Sequence, residues 1–346
     1  MPTVQPVIAP ERYRERLNRL VARARAEGDD VFVVYGDREH FPNLAYLTGY
    51  DPRFEESFLI IDLERFGERK PLLLVGNEGM GYANVSPIKD DLEIVLYQSL
   101  SLLGQPRGES RPLADILRSG GVQPGKRVGV AGWKYFGAGE AANPGEWLEI
   151  PSYMVDALRQ ITGSAGSVHN AGHLFMDATS GLRAINEVEQ LAAFEFAETY
   201  ASQSVRNVLF GVKPGMTELE AGELMRLNGL PLSTHVFLAS GQRAFLGMAS
   251  PSLNRIQQGD PFTACCAPWG GLTSRAGFVV ENAGQLPAEV QDYVDRVVAP
   301  SLSGDCRLVR AHRHRRHGRR SVPDHPRPHW RPVLRRQAQP RSPDPP

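Results

Sequence analysis

Short apolar runs separated by helix-patterned stretches fill the first half of the chain, and this alternation constrains the fold more than any single motif. The runs are DVFVVYG (30–36), FLIID (58–62), PLLLVG (71–76), LEIVLY (92–97) and RVGVAG (127–132). Apolar runs of this length read as strands. Between them, ERYRERLNRLVARARAEG (11–28) sets Leu17, Leu20, Val21 and Ala24 at helical spacing and stops at a glycine, while LADILRSG (113–120) and PSYMVDALRQ (151–160) repeat the pattern. Strands alternating with helices predict an α/β domain over residues 1–175.

The chain changes character around FMDATSGLRAI (175–185). In the following NEVEQLAAFEFAETYASQSVRNVLFG, Val188, Leu191, Phe194, Ala197, Ala201, Val205 and Val208 form one stripe, which predicts a long helix. A turn at Pro214-Gly215 and a capping box from Thr217 to Glu220 start a second helix. Strand-like THVFLASG (234–241), DPFTACCAP (260–268) and GFVVENAG (277–284) precede the helical LPAEVQDYVDRVVAP (286–300), giving an α+β region over 182–300.

The formal net charge of zero conceals two unlike regions. Residues 301–346 hold twelve Arg, no Lys and three Asp, about +9, which leaves about −9 on residues 1–300. That last segment also has eight of the 27 prolines and five of the nine histidines, shows no apolar periodicity, and is expected to be a disordered basic tail. No run approaches about 18 apolar residues, and the first residues lack the order of a secretory signal. Two of the three cysteines, Cys265 and Cys266, are adjacent, which suits neither a disulfide framework nor a metal knuckle, so a reducing, cytoplasmic setting is expected. GNEGMG (76–81) follows a strand, but its glycine order is not that of a dinucleotide fingerprint, and it reads as a turn.

The stretches ERLNRLVARARAEGDDVFVVYGDREHFPNLAYLTGY and LRAINEVEQLAAFEFAETYASQSVRNVLFGVKPGMTELEAGELM together resemble the creatinase and aminopeptidase P family, the pita-bread metallopeptidases, over roughly residues 10–300. The resemblance implies a non-catalytic first domain and a pita-bread catalytic domain that hydrolyses bonds next to proline, or a small amidino compound. It also implies a homodimer and two divalent metals, such as manganese, cobalt or zinc, held by two Asp, one His and two Glu.

Against that pattern, GDPFTACCAPWGGLTSRAG (259–277) has no carboxylate after Asp260. Counting from Asp260, the first family aspartate falls on Cys265; anchoring on Gly271-Leu272-Thr273-Ser274 puts the second on Arg275, and the two counts disagree by one residue. Cys265 reads as a small buried apolar residue. A guanidinium at Arg275 repels a dication, at about 4 kcal/mol per unit of charge product at about 4 Å and an effective dielectric of about 20. The family's substrate-facing His falls on Met248, a thioether that shuttles no proton, and His235 nearby reads as a solvated residue at a strand start. The remaining ligands belong beyond residue 300, where the last glutamate, Glu289, has already passed. His312, His314 and His317 stand among arginines and make a poor dication site.

The expectation is therefore a protein with no catalytic residue, no metal and no cofactor. By descent it would be a dinuclear-metal peptidase of the Xaa-Pro aminopeptidase or dipeptidase type, inactive or nearly so in this chain; the alternative is a non-catalytic pseudoenzyme that binds a small acidic or peptide ligand, with Arg275, His235, Met248 and Cys265 as candidate binding residues of the old cleft. The basic tail allows two readings: a nucleic-acid arm, or the product of a frameshift near codon 300 in a GC-rich gene that replaced the second half of the catalytic domain. Loss of that half would bare an apolar sheet face and an unpaired edge, which a partner or second copy would cover.

Overall fold

The computed structural model describes residues 1–315, and His317 with the rest of the tail lies outside them. The described residues fall into two compact units, Met1–Val279 and one beginning at Val280.

The first unit opens with helix α1 (Pro10–Ala26), which has Pro at its first position and Glu11 in its first turn, and the chain then turns at Gly28 with φ 84°. Strand β1 (Val31–Gly36), helix α2 (Pro42–Thr48), strands β2 (Ser57–Asp62) and β3 (Leu72–Val75), helix α3 (Asn77–Tyr82) and strand β4 (Glu93–Leu96) follow. Helix α4 (Leu113–Ser119), strand β5 (Val128–Ala131), helix α5 (Ser152–Thr162), strand β6 (Val168–Asn170) and the single turn α6 (His173–Met176) complete this part.

These strands form one six-stranded sheet in the order β4-β3-β2-β1-β5-β6, antiparallel at β1–β2 and β2–β3 and parallel elsewhere. Alternate residues of β1 divide between two cores. Phe32 and Val34 pack with Leu17, Leu20 and Val21 of α1, while Val31, Val33 and Tyr35 pack with Ile116 of α4 and Leu158 of α5. Both faces are covered, which is why the strands read as unbroken apolar runs. Leu20 and Phe32 are fully buried, and each contributes about 1.5–3 kcal/mol. Gly49, the last residue of Tyr46-Leu47-Thr48-Gly49, closes α2 at φ 69°, and a Cβ there would stand 2.5 Å from Pro87 Cδ.

GNEGMG is a short helix rather than a turn. Its glycines hide the helical propensity, and the helix starts because Glu55 receives the free N–H groups of Glu78 (3.2 Å) and Gly79 (2.9 Å). That carboxylate already occupies the place an anionic ligand would take.

Helix α7 (Val188–Gly211), helix α8 (Glu218–Glu223) and strands β7 (Phe237–Ser240), β8 (Pro261–Cys266) and β9 (Thr273–Phe278) make the rest of this unit, with the strands antiparallel in that order. Strand β9 begins four residues before the expected GFVVENAG. The α7 stripe is buried only from Ala197 onward, where it meets this sheet; Val188 and Leu191 lie before the sheet begins and stay exposed. Gly271 lets the β8–β9 turn close on α7, since a Cβ there would come within 2.7 Å of the Ala197 and Glu198 backbone.

An internal ion pair ties α7 to α1. Arg16 lies on the apolar side of α1, fully buried, where its Nη2 donates to Glu187 Oε2 (2.9 Å) and its Nη1 to the Tyr46 carbonyl oxygen (3.0 Å). Arg19 also pairs with Glu187. Burial alone would raise the Glu187 carboxyl, but hydrogen bonding and charge from Arg16 and Arg19 hold it below its ordinary value.

In the second unit, short turns at Ala283–Gln285 and Ala288–Val290 and a π-helical stretch at Val294–Val298 run into helix α8's successor α9 (Ala299–Arg315). Residues 301–315, the start of the expected disordered tail, are thus helical. Among the described residues no helix is long and apolar enough to cross a membrane.

Candidate functional site

The β7–β9 sheet carries every candidate binding residue except Met248 and His235, which flank it. Register decides which of them face the same way. Phe237 of β7 pairs with Cys265 of β8, and Cys265 with Ser274 of β9, while Leu238, Ala264 and Arg275 form the next row. Directly opposed residues share a face and successive ones alternate.

One face packs on α7. Leu238, Ala264 and Cys266 join Val205 and Val208 in a core, and Thr273 Oγ1 meets Ser202 Oγ at 3.1 Å and donates to Glu198. Arg275 belongs to that row. As a residue of the outer strand it reaches solvent, where its Nη1 donates to the Ser274 carbonyl oxygen (2.7 Å).

The other face carries Phe237, Ala239, Thr263, Cys265, Ser274 and Ala276. His235 stands at its rim with its ring 4.6 Å from that of Phe237, edge to face. Cys265 and Arg275 therefore do not share a pocket. The residue eleven beyond Cys265, Ala276, lies on the Cys265 face, diagonal to it, so the two sequence counts resolve in favour of Ala276.

Neither position offers a carboxylate. Burial raises the Cys265 thiol, with a weaker opposing hydrogen bond from Ser274, and the same burial raises Cys266. A protonated thiol, a methyl group and two hydroxyls form no donor set for a hard dication. Met248 is 72% exposed, in the loop after the 3-10 turn Gly241–Leu246.

Sequence reasoning missed the residue that organises this loop. Glu218, fully buried at the start of α8, accepts from Ser240 N–H (2.8 Å), Asn254 Nδ2 (3.1 Å), Ser252 N–H (3.0 Å), Ser252 Oγ (2.7 Å) and Arg243 Nε (3.1 Å). Burial opposes its ionisation, yet these donors outweigh it and hold the carboxyl below its ordinary value. The only local signal was an acid beside the Thr217 cap, where Glu220 alone had an assigned role; the capping box itself is present.

Among the described residues one His and acid group could surround an ion: Glu27, Asp29 and His169, with ligand atoms within 4.8 Å of one another. They stand beside the six-stranded sheet, and Arg127 already fills the space. Its Nε lies 3.1 Å from Asp29 Oδ1 and its Nη2 lies 3.2 Å from His169 Nε2.

Comparison with known families matches residues 16–161 to the creatinase/prolidase N-terminal domain. Comparison with curated protein sequences finds no match. Among solved structures, the chain is similar to a prolidase from Pyrococcus horikoshii OT3, with a TM-score of 0.59 at 16% identity, covering 84% of this chain and 71% of that one. It is similar to an Xaa-Pro dipeptidase from Bacillus anthracis, with a TM-score of 0.57 at 14% identity, covering 84% and 70%. An X-Pro aminopeptidase from Thermotoga maritima gives a TM-score of 0.55 at 16% identity, covering 79% and 66%. At these identities the structural likeness is one of fold.

Proposed function

We propose that this chain, whose residues 16–161 match the creatinase/prolidase N-terminal domain and whose fold is similar to that of prolidases, is a non-hydrolytic member of the creatinase and aminopeptidase P family that binds a small molecule or peptide without cleaving it. The observation that carries this reading is the Cys265 face of the β7–β9 sheet, which presents Phe237, Ala239, Thr263, Cys265, Ser274 and Ala276 and no carboxylate.

Two dications about 4 Å apart repel each other by about 16 kcal/mol at an effective dielectric of about 20, four times the value for unit charges. Bridging carboxylates offset that repulsion in a dinuclear site, and hydroxyl and methyl groups do not. The residues present do not fit such a pair. What they do fit is an apolar or aromatic group laid against Phe237, Cys265 and Ala276, with His235 at the edge to hydrogen-bond a polar end.

The companion readings are a homodimer, supported by the exposed outer strand β9, and a cytoplasmic setting, supported by three cysteines that are all free.

The test is metal content and turnover of the purified full chain. After incubation with manganese, cobalt or zinc and removal of unbound ion, well under one tightly held ion per chain and no cleavage of an Xaa-Pro dipeptide are expected. Near two ions per chain with cleavage abolished by EDTA would overturn the reading.

A further inference from the structure

A cavity of about 510 Å³ lies in the first unit between residues 5–8, α2, the connector at 183–190, the first turns of α7 and the loop at 268–270. Its size falls in the range of small-molecule sites. Phe194, Phe196, Pro231 and Trp269 supply much of its wall. The charged residues lining it are Arg16 and Arg183, and no acid is among them.

The two arginines differ in how their charge is met. Arg16 is neutralised by Glu187 and by the Tyr46 carbonyl oxygen. Arg183 Nη1 donates to Asn43 Oδ1 (2.9 Å) and approaches Met176 Sδ (3.2 Å), both uncharged. Among the described residues no carboxylate comes within ion-pair distance of it, and its Nε and Nη2 have no partner. Burial lowers its pKa from the ordinary value, against a weaker opposing effect of Tyr46. The Asn186 side chain, also at the wall, adds an amide with no partner among the described residues.

We propose that this cavity binds a small organic carboxylate with an aromatic tail, the carboxylate on Arg183 and the tail against Phe194, Phe196 and Trp269. A guanidinium with a free fork presents two parallel N–H groups, the geometry a carboxylate accepts in bidentate fashion. The aromatic wall selects the tail. A carboxylate there supplies the countercharge the protein leaves out, and the neutral amide of the same acid does not. The inference stands apart from the question of hydrolysis, because the cavity shares no residue with the Cys265 face.

The experiment is calorimetric titration and thermal unfolding of the full chain with phenylpropionate, with phenylpropionamide and inorganic phosphate alongside. Phenylpropionate should bind one site per chain and raise the unfolding temperature. The amide should bind about tenfold more weakly or worse, and phosphate should have no effect. Arg183→Gln should cost about tenfold or more in affinity. Ala193→Trp places an indole in the cavity from α7 and leaves residue 183 an arginine, and it should abolish binding while leaving the far-UV circular dichroism unchanged; it decides the matter if the Arg183 variant does not fold. Equal affinity for acid and amide, full affinity in either variant, phosphate binding in place of the acid, or no response to the acid would each overturn the proposal.

Discussion

Replacing Glu218 probes the device that holds the loop beside the β7–β9 sheet. Its carboxylate oxygens gather donors from both ends of residues 240–254: Ser240 N–H at 2.8 Å on Oε1, and Ser252 N–H at 3.0 Å and Ser252 Oγ at 2.7 Å on Oε2. Hydrogen bonds to a charged group are worth about 1.5–3 kcal/mol each, but they share one acceptor and do not add. Ser252 and Asn254 lie near the surface, so water can reach some of the donors once the side chain is gone, whereas Ser240 is fully buried. Removing one member of a buried charged network costs about 3–5 kcal/mol. Glu218→Ala should therefore destabilise this region by about 3 kcal/mol, the lower end, and Glu218→Gln by less, because it keeps one oxygen acceptor. The assay is amide hydrogen exchange at Ser240 and Ser252, with urea unfolding as a second measure. A loss of about 3 kcal/mol corresponds to exchange faster by about two orders of magnitude at both amides. The sign with pH is fixed: the folded carboxyl sits below its ordinary value, so its stabilisation is present above that value and is lost as pH falls through the folded pKa. Unchanged exchange at both amides in Glu218→Ala would refute the reasoning.

Two further outcomes follow from the buried groups. Burial first, with Arg127 and His173 adding to it against Glu27, lowers His169 from 6.5 to about 4, so its contribution is full above about 6.5 and is lost as pH falls towards 4. Burial raises neighbouring Asp29 to about 6, giving the opposite slope, so His169→Asn should gain on the parent chain in urea midpoint between about pH 7 and about pH 4.5; a constant difference would count against the assignment. Cys265 and Cys266 are buried with raised thiols while Cys306 is exposed, so the native chain should give one rapidly alkylated cysteine and the denatured chain three, and fast native labelling at Cys265 would contradict the packing on β8.

The six-stranded sheet was legible because burial on two faces writes itself as unbroken apolar runs, and the five expected strands are β1 to β5. The sixth, Val168–Asn170, is too short to leave such a mark. The α7 stripe was legible as a helix but not as a burial pattern: Leu191 and Ala201 carry the same periodic signal, and only the position of the sheet decides that one is exposed and the other covered. Arg16 and Glu187 were not legible at all, since their sequence separation hides a pairing that exists only after α1 and α7 meet. The same holds for Arg183, whose significance lies in what does not approach it.

The site turns on a smaller matter of the same kind. Sequence spacing left Arg275 and its neighbour as rivals for one position, and a single residue of ambiguity reverses the chemistry, because successive side chains on a strand face opposite ways. The pairing of Cys265 with Ser274 removes the ambiguity: Ala276 shares the Cys265 face and Arg275 does not. Repulsion by the guanidinium is then no longer what disfavours metals on that face. The lack of any carboxylate suffices, and it yields a stricter expectation. Arg275→Ala should leave metal content unchanged, whereas a charge-repulsion account requires it to rise; a rise would return Arg275 to the cleft and undo the register argument.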